Sequence, residues 1–178
     1  WGKRDTASIR KVVSIGVKFA LGVGILASLV AVLFPHWVIR AFTQEPGVIQ
    51  EGAAYVQIVG FTYLFFSVSQ VMIAAMRSVE TAKIGLYISC MALVVNVCLN
   101  YVFIFGHLGF PAMGVRGAAL ATLVSRIMEM CVGIGYVFFV DRKLRLGVRD
   151  LLHTDRQLLR DFVRYGLPVI GGQVVWAV

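Results

Sequence analysis

IGLYISCMALVVNVCLNYVFIFGHLGFPAMGV, residues 84–115, runs from Lys83 to Arg116 without one Asp, Glu, Lys or Arg. A helix that crosses a bilayer needs about 20 mostly apolar residues. This stretch is longer than that and is apolar almost continuously. A membrane β-strand would instead alternate apolar and polar side chains over about ten residues. The segment therefore reads as a membrane-spanning helix followed by a loop over 107–116.

Working outward, the same pattern recurs on both sides. An earlier run from about Val12 to Phe34 contains only Lys18, and the residues between Glu51 and Arg77 carry no charge. A later run, Gly117 to Val140, carries Arg126 and Glu129. After Arg164 only residues 165–178 remain, about 21 Å of helix at the usual rise, too short for about 30 Å of hydrocarbon. The second span starts early, because Pro46 suits the first turn of a helix, where its missing N–H costs nothing. The expected fold is an all-α membrane protein with four complete spans and the start of a fifth. The sequence opens on Trp1 and closes inside the apolar LPVIGGQVVWAV, so it reads as an internal piece of a longer chain.

Composition agrees. Of 178 residues, 59% are hydrophobic and 15% charged, with a mean hydropathy of +0.83. Soluble domains average about 45–50% apolar and about 25% charged. The net charge of +8 does not point to nucleic acid, because the basic residues cluster in short segments beside apolar runs and no folded basic domain is left to carry them. Cys90, Cys98 and Cys131 lie within apolar runs with no CxxC or Cys/His cluster, and are expected to be small buried apolar residues.

The connections orient the chain. Lys3, Arg4, Arg10, Lys11, Arg77, Lys83, Arg142, Lys143, Arg145, Arg149, Arg156, Arg160 and Arg164 fall on one side of the four spans; only Arg40 and Arg116 fall on the other. Cytoplasmic loops are enriched in Lys and Arg, so residues 1–11, 77–83 and 141–164 are expected inside, and 35–52 and 107–116 outside. Within 141–164, Thr154-Asp155-Arg156-Gln157 fits a capping box. Arg156, Arg160 and Arg164 then recur along one face, as in an amphipathic helix at the cytoplasmic surface with its arginines near lipid phosphates.

The faces of the spans carry the remaining information. Gly16, Ala20, Gly24 and Ser28 recur every four residues, as do Gly117, Ala121 and Ser125. Small residues let helices approach closely in lipid, so these are packing seams. Polar side chains are costly in hydrocarbon and tend to face an interior or a cavity. The second span stacks Gly60, Tyr63, Ser67, Gln70 and Ala74; the third Ser89, Ala92, Asn96 and Asn100; the fourth Ala118, Thr122, Ser125 and Glu129. Three such stripes suggest helices around a wet cavity. Interhelical hydrogen bonding alone would account for Ser67 and Ser89. Asn96 and Asn100, one turn apart, could direct two carbonyl oxygens at one point. Arg126 and Glu129, three apart in mid-span, are expected to pair.

NVCLNYVFIFGHLGFPAMGVRGAALATLVSR, residues 96–126, resembles the multidrug and toxic compound extrusion (MATE) family. EPGVIQEGAAYV (45–56), MRSVETAK (76–83) and RYGLPVIGGQ (164–173) are similar to the same family. The resemblance implies twelve helices in two pseudo-symmetric lobes. Residues 1–140 would then hold family helices three to six of the first lobe, 141–164 a cytoplasmic interlobe linker, and 165–178 the start of the second lobe. It also implies a multi-pass protein of the cell membrane that is not an enzyme. Such a protein is a secondary antiporter, expelling drug-like, often cationic, organic compounds in exchange for Na+ or H+ without a covalent step, and needing the rest of its own chain. No cofactor is expected beyond that ion. Asn96, Asn100 and Thr122 would help hold the cation through hard, uncharged oxygens, and Tyr63, Ser67, Gln70, Arg126 and Glu129 would line the substrate cavity.

Two positions depart from the family pattern. Val79-Glu80-Thr81 stands where members often have Gly-Asp-Thr, and Asn100 where one branch has Asp. An amide cannot take up a proton near neutral pH. The family's first helix, which usually supplies an ion-binding carboxylate, has no counterpart in these residues. Two alternatives remain open at this point: a lipid-linked precursor flippase of the same wider superfamily, which would favour a cationic cavity, and a polytopic membrane protein that does not transport.

Overall fold

The computed structural model describes residues 6–78 and 81–140. The expected linker, its amphipathic helix, the fifth span and the Val79-Glu80 turn lie outside the described residues. Among the described residues six α-helices follow one another: α1 (Thr6–Leu33), α2 (Pro35–Arg40), α3 (Pro46–Gly60), α4 (Thr62–Ser78), α5 (Ala82–Phe105) and α6 (Gly114–Gly135), the last continuing into a π-helical turn over Tyr136–Val140. Among the described residues there is no strand.

Among the described residues, three helical segments, Ile9–Leu33, Lys83–Phe105 and Gly114–Val140, are long and apolar enough to cross a membrane. The expected second span is a bent pair, α3 and α4, with 43° between them. Its start matches the expectation: Pro46 opens α3 after an extended Glu45. The bend was not anticipated, since no proline marks it. At the break the Phe61 N–H falls back to the Ile58 carbonyl at 3.3 Å, and the Thr62 hydroxyl donates to the Val59 carbonyl at 2.6 Å. A Gly followed by a hydroxyl that bonds its own backbone is a recognised cause of helix bending. Gly60 also sits against α1, where an added Cβ would come within 2.9 Å of Ala31. The stretch 35–40, read from sequence as loop, is the short helix α2, begun by Pro35.

α4 and α6 form the middle of the bundle. α1 packs on α3 and α4, and α5 on α6. The α1 seam behaves as its small residues predict. A Cβ on Gly24 would lie 2.5 Å from the Ser67 hydroxyl oxygen, and one on Gly16 would touch Val71. The α6 seam does the same toward α5, where a Cβ on Gly117 would lie 2.5 Å from the Phe103 carbonyl oxygen. Val13, Val17, Met72, Ile73, Met76, Ile88 and Val137 close a core at the end where α1 begins and α4 stops.

α5 and α6 are held as a tight hairpin. Gly106 ends α5 in the left-handed region at φ 73°, a conformation that favours glycine. The Met113 N–H then returns to the Phe103 carbonyl at 2.9 Å, and Tyr101 stacks on His107 with ring centres 4.5 Å apart. The outer face of α5, including Leu86, Tyr87, Val94 and Val97, is exposed. A continuous apolar face of this kind suits lipid contact. Cys90, Cys98 and Cys131 also face outward rather than into the core, contrary to the expectation from their apolar surroundings. In a membrane protein an apolar neighbourhood in sequence does not imply burial, because both faces of a span are apolar.

Candidate functional site

The polar stripes of the third and fourth spans meet. Gly117 lets α6 approach the α5 backbone, and this brings Asn96 opposite Thr122. The Asn96 amide donates to the Thr122 hydroxyl at 3.5 Å, and the Asn100 amide donates to the Asn96 carbonyl oxygen at 3.0 Å. Thr122 in turn donates to the Ala118 carbonyl at 3.0 Å. The result is a head-to-tail chain, Asn100 to Asn96 to Thr122 to Ala118. Of the two carbonyl oxygens expected at one point, that of Asn96 is engaged by the Asn100 amide. The Asn96 oxygen already accepts one hydrogen bond, although an amide oxygen has a second lone pair.

One turn further along the same wall, Arg126 and Glu129 form the expected ion pair, Nη1 to Oε2, at 2.7 Å. Their exposures differ: the Arg126 side chain is 37% exposed and that of Glu129 only 1%. The second carboxylate oxygen of Glu129 accepts from the Ser89 hydroxyl at 3.4 Å. Arg126 also lies over the Phe66 ring, 4.8 Å from its centre. Burying a carboxylate is tolerable only with a charge partner and hydrogen bonds, and Glu129 has both.

These groups line a cavity of about 480 Å³ between α4, α5 and α6. Gln70, Asn96, Thr122, Arg126 and Glu129 are all in its wall. Asn100 stands behind Asn96 rather than in the wall. Tyr63 and Ser67 are not brought there. Ser67 bonds its own turn at Leu64, 2.9 Å away, and faces Gly24 of α1. Gly60 likewise faces α1. The stripe drawn through the second span mixed two faces: its small residues mark the α1 seam, while Phe66 and Gln70 turn to the cavity. Phe66 was missed because an aromatic residue in an apolar run gives no sign of which neighbour it meets. Among the described residues no group of His, Cys, Asp and Glu is arranged to hold a metal ion. The hard donors here are amide and hydroxyl oxygens.

Comparison with known proteins bears on what this bundle belongs to. The MatE family model matches residues 1–102. The chain is 34% identical over 137 residues to the probable multidrug resistance protein NorM of Rhizobium meliloti, covering 76% of this chain and 29% of that protein. It is 26% identical to the probable multidrug resistance protein YoeA of Bacillus subtilis, over 94% of this chain and 37% of that one. In fold it is similar to a solved inward-facing conformation of a multidrug resistance MATE family transporter of the MOP superfamily, with TM-score 0.81 and 21% identity over 94% of this chain and 37% of that chain. The chain thus spans about a third of the length of the relatives it matches. With the family model covering more than half of its residues and its helices following the same fold, the chain belongs to the multidrug and toxic compound extrusion family, MatE.

Proposed function

We propose that the full-length protein is a secondary active exporter in the cell membrane, moving small organic compounds outward in exchange for Na+ or H+. The observation that carries this reading is the polar cavity between α4, α5 and α6, set in helices that are otherwise apolar. Intramembrane polar and ionisable side chains are costly, and where present they tend to line substrate and ion paths. Membership of a family whose relatives are named as multidrug resistance proteins supports the same reading. Transport would proceed by rocking of two lobes about a central site, so that the cavity opens to one side at a time. The protein's contribution is binding and conformational change, with no covalent step.

The coupling ion would be held partly by the Asn100–Asn96–Thr122 chain. Its oxygens are uncharged and hard, which suits Na+. A carboxylate from elsewhere in the full-length protein would supply charge, and a proton-coupled mechanism would need such a group, because the amides do not titrate. The test is reconstitution of the full-length protein in vesicles with an imposed Na+ or pH gradient and a fluorescent drug as cargo. Saturable efflux that collapses with the gradient is expected; efflux indifferent to both gradients, or none, would overturn the proposal.

A further inference from the structure

We infer that Ser89 couples the two ends of the cavity: its hydrogen bond to Glu129 passes occupancy of the Asn100–Asn96–Thr122 chain on to Arg126. This deepens the exporter reading above and rests on it for the amide chain being an ion site.

α5 and α6 are cross-linked twice along the cavity. Asn96 meets Thr122 at 3.5 Å, and Ser89 meets Glu129 at 3.4 Å. The spacing is the same on both helices: Ser89 stands seven residues before Asn96, and Glu129 seven after Thr122. Ala92 and Ser125, between the two rungs, are buried, and Ser125 spends its hydroxyl on its own helix at Ala121, 2.7 Å away. These contacts lie among α4, α5 and α6 themselves. They do not depend on what the rest of the protein places around the cavity.

Both rungs are slack, since O–H···O bonds cluster at about 2.7–2.8 Å and N–H···O bonds at about 2.9–3.0 Å. The outer end of the hairpin is not slack. There the Met113 N–H returns to the Phe103 carbonyl at 2.9 Å, and a Cβ on Gly117 would lie 2.5 Å from the same oxygen. The two helices are pinned at that point. Asn96 and Ser89 stand seven and fourteen residues from Phe103, or about 10 and about 21 Å along α5 at the usual rise. A change in helix separation about the pin is therefore about twice as large at Ser89 as at Asn96.

A cation changes the first rung. Held between Asn96 and Thr122 it would face oxygens, whereas the empty rung turns the Asn96 N–H toward Thr122. The ion-bound and ion-free arrangements differ there, and coupling between sites needs a two-state element of this kind. A shift of about 0.3 Å at Asn96 becomes about 0.6 Å at Ser89. That is enough to draw the 3.4 Å contact into the ordinary range or to part it.

Glu129 receives the change. One of its oxygens accepts from Ser89 and the other holds Arg126 at 2.7 Å. A carboxylate relieved of the Ser89 bond concentrates its charge on Arg126, and one that gains a shorter bond releases it in part. Arg126 lies over the Phe66 ring of α4, and both belong to the cavity wall together with Gln70. Ser89 is therefore a positioning residue, acting on cargo through Glu129 and Arg126.

The test reads ethidium fluorescence on the purified full-length protein, in sodium chloride and in choline chloride of the same ionic strength. Na+ should change the ethidium Kd of the wild type about fivefold or more, the low end of ordinary coupling between two sites. Ser89→Ala should bring the two constants within about twofold of each other. Na+ should still raise the melting temperature of that variant, because its amide chain is intact and a ligand of the folded state stabilises it. Ser89→Thr keeps the hydroxyl and should retain the coupling, while Asn96→Ala should lose both responses to Na+. A Ser89→Ala variant with the wild-type ratio overturns the inference. So does one whose melting temperature no longer responds to Na+, since Ser89 then belongs to the ion site or its packing. Ethidium binding that is absent from the wild type, or indifferent to Na+, overturns it as well. The exporter reading is judged separately, in vesicles: gradient-driven efflux with coupling that survives Ser89→Ala sinks this inference alone, whereas Ser89-dependent coupling without efflux sinks transport and leaves this inference standing.

Discussion

Asn100 is a residue whose role separates ion binding from packing. Its amide donates to Asn96 at 3.0 Å, and it lies behind the cavity wall. Asn100→Ala in the full-length protein should raise the Na+ concentration for half-maximal efflux by about tenfold, the worth of one hydrogen bond or ligand to a charged group, at unchanged expression. Asn100→Asp should keep transport and move its dependence toward pH, because it introduces an ionisable group. Ser67→Ala should leave efflux unchanged, since that hydroxyl is satisfied by Leu64. An unaltered Na+ profile in both Asn96→Ala and Asn100→Ala would reduce the amide chain to interhelical glue. The Arg126–Glu129 pair makes a different prediction. Arg126→Ala strands a carboxylate that is 1% exposed. Breaking a buried pair costs about 3–5 kcal/mol, and the partial exposure of Arg126 argues for the lower end of that range. Pairing Arg126→Ala with Glu129→Gln should recover much of the loss in a thermal unfolding assay in detergent.

Among the elements, the α5–α6 hairpin is the most constrained. Gly117→Val should lower the melting temperature and the yield of folded protein, because even a Cβ there would lie 2.5 Å from the Phe103 carbonyl oxygen; overpacking of this kind costs about 1–3 kcal/mol. Gly133→Ala on the same helix, where a Cβ would meet nothing nearer than 3.9 Å, should be neutral. The contrast also shows what the sequence could disclose. The small-residue seams of α1 and α6 were legible, because only small side chains permit such approach in lipid. The facing of Asn96 and Thr122 was legible too, since helical periodicity puts each on its own polar stripe. What periodicity could not supply was phase across a break. With α3 and α4 bent by 43°, a single stripe drawn from Gly60 to Ala74 joined residues facing α1 to residues facing the cavity. Nor could it supply the internal order of hydrogen bonds, because amide oxygens and amide nitrogens have the same periodicity.

At the scale of the molecule, the distribution of charge along the sequence gives the expected orientation in the membrane. Thirteen Lys and Arg fall in segments expected on one side of the spans and two, Arg40 and Arg116, in segments expected on the other. In a full-length background with Cys90, Cys98 and Cys131 replaced, a single cysteine at position 44 should react with an impermeant maleimide in intact cells, and one at position 83 only after permeabilisation. The reverse pattern would invert the topology. The replacement is needed because those three native thiols face outward in this chain. α4 and α6 sit between α1 and α5, so the cavity opens among the later helices and the described part of its wall forms only once α6 has packed.

That order has a consequence in time. A chain made from its N-terminus delivers α5 to the membrane before α6 exists, so Asn96 and Asn100 arrive ahead of Thr122. Their mutual hydrogen bond, one turn apart on a single helix, already joins one donor to one acceptor within α5. The nascent helix therefore carries part of its own polar partner through insertion, and waits for the hairpin to fold back at Gly106 before sharing it.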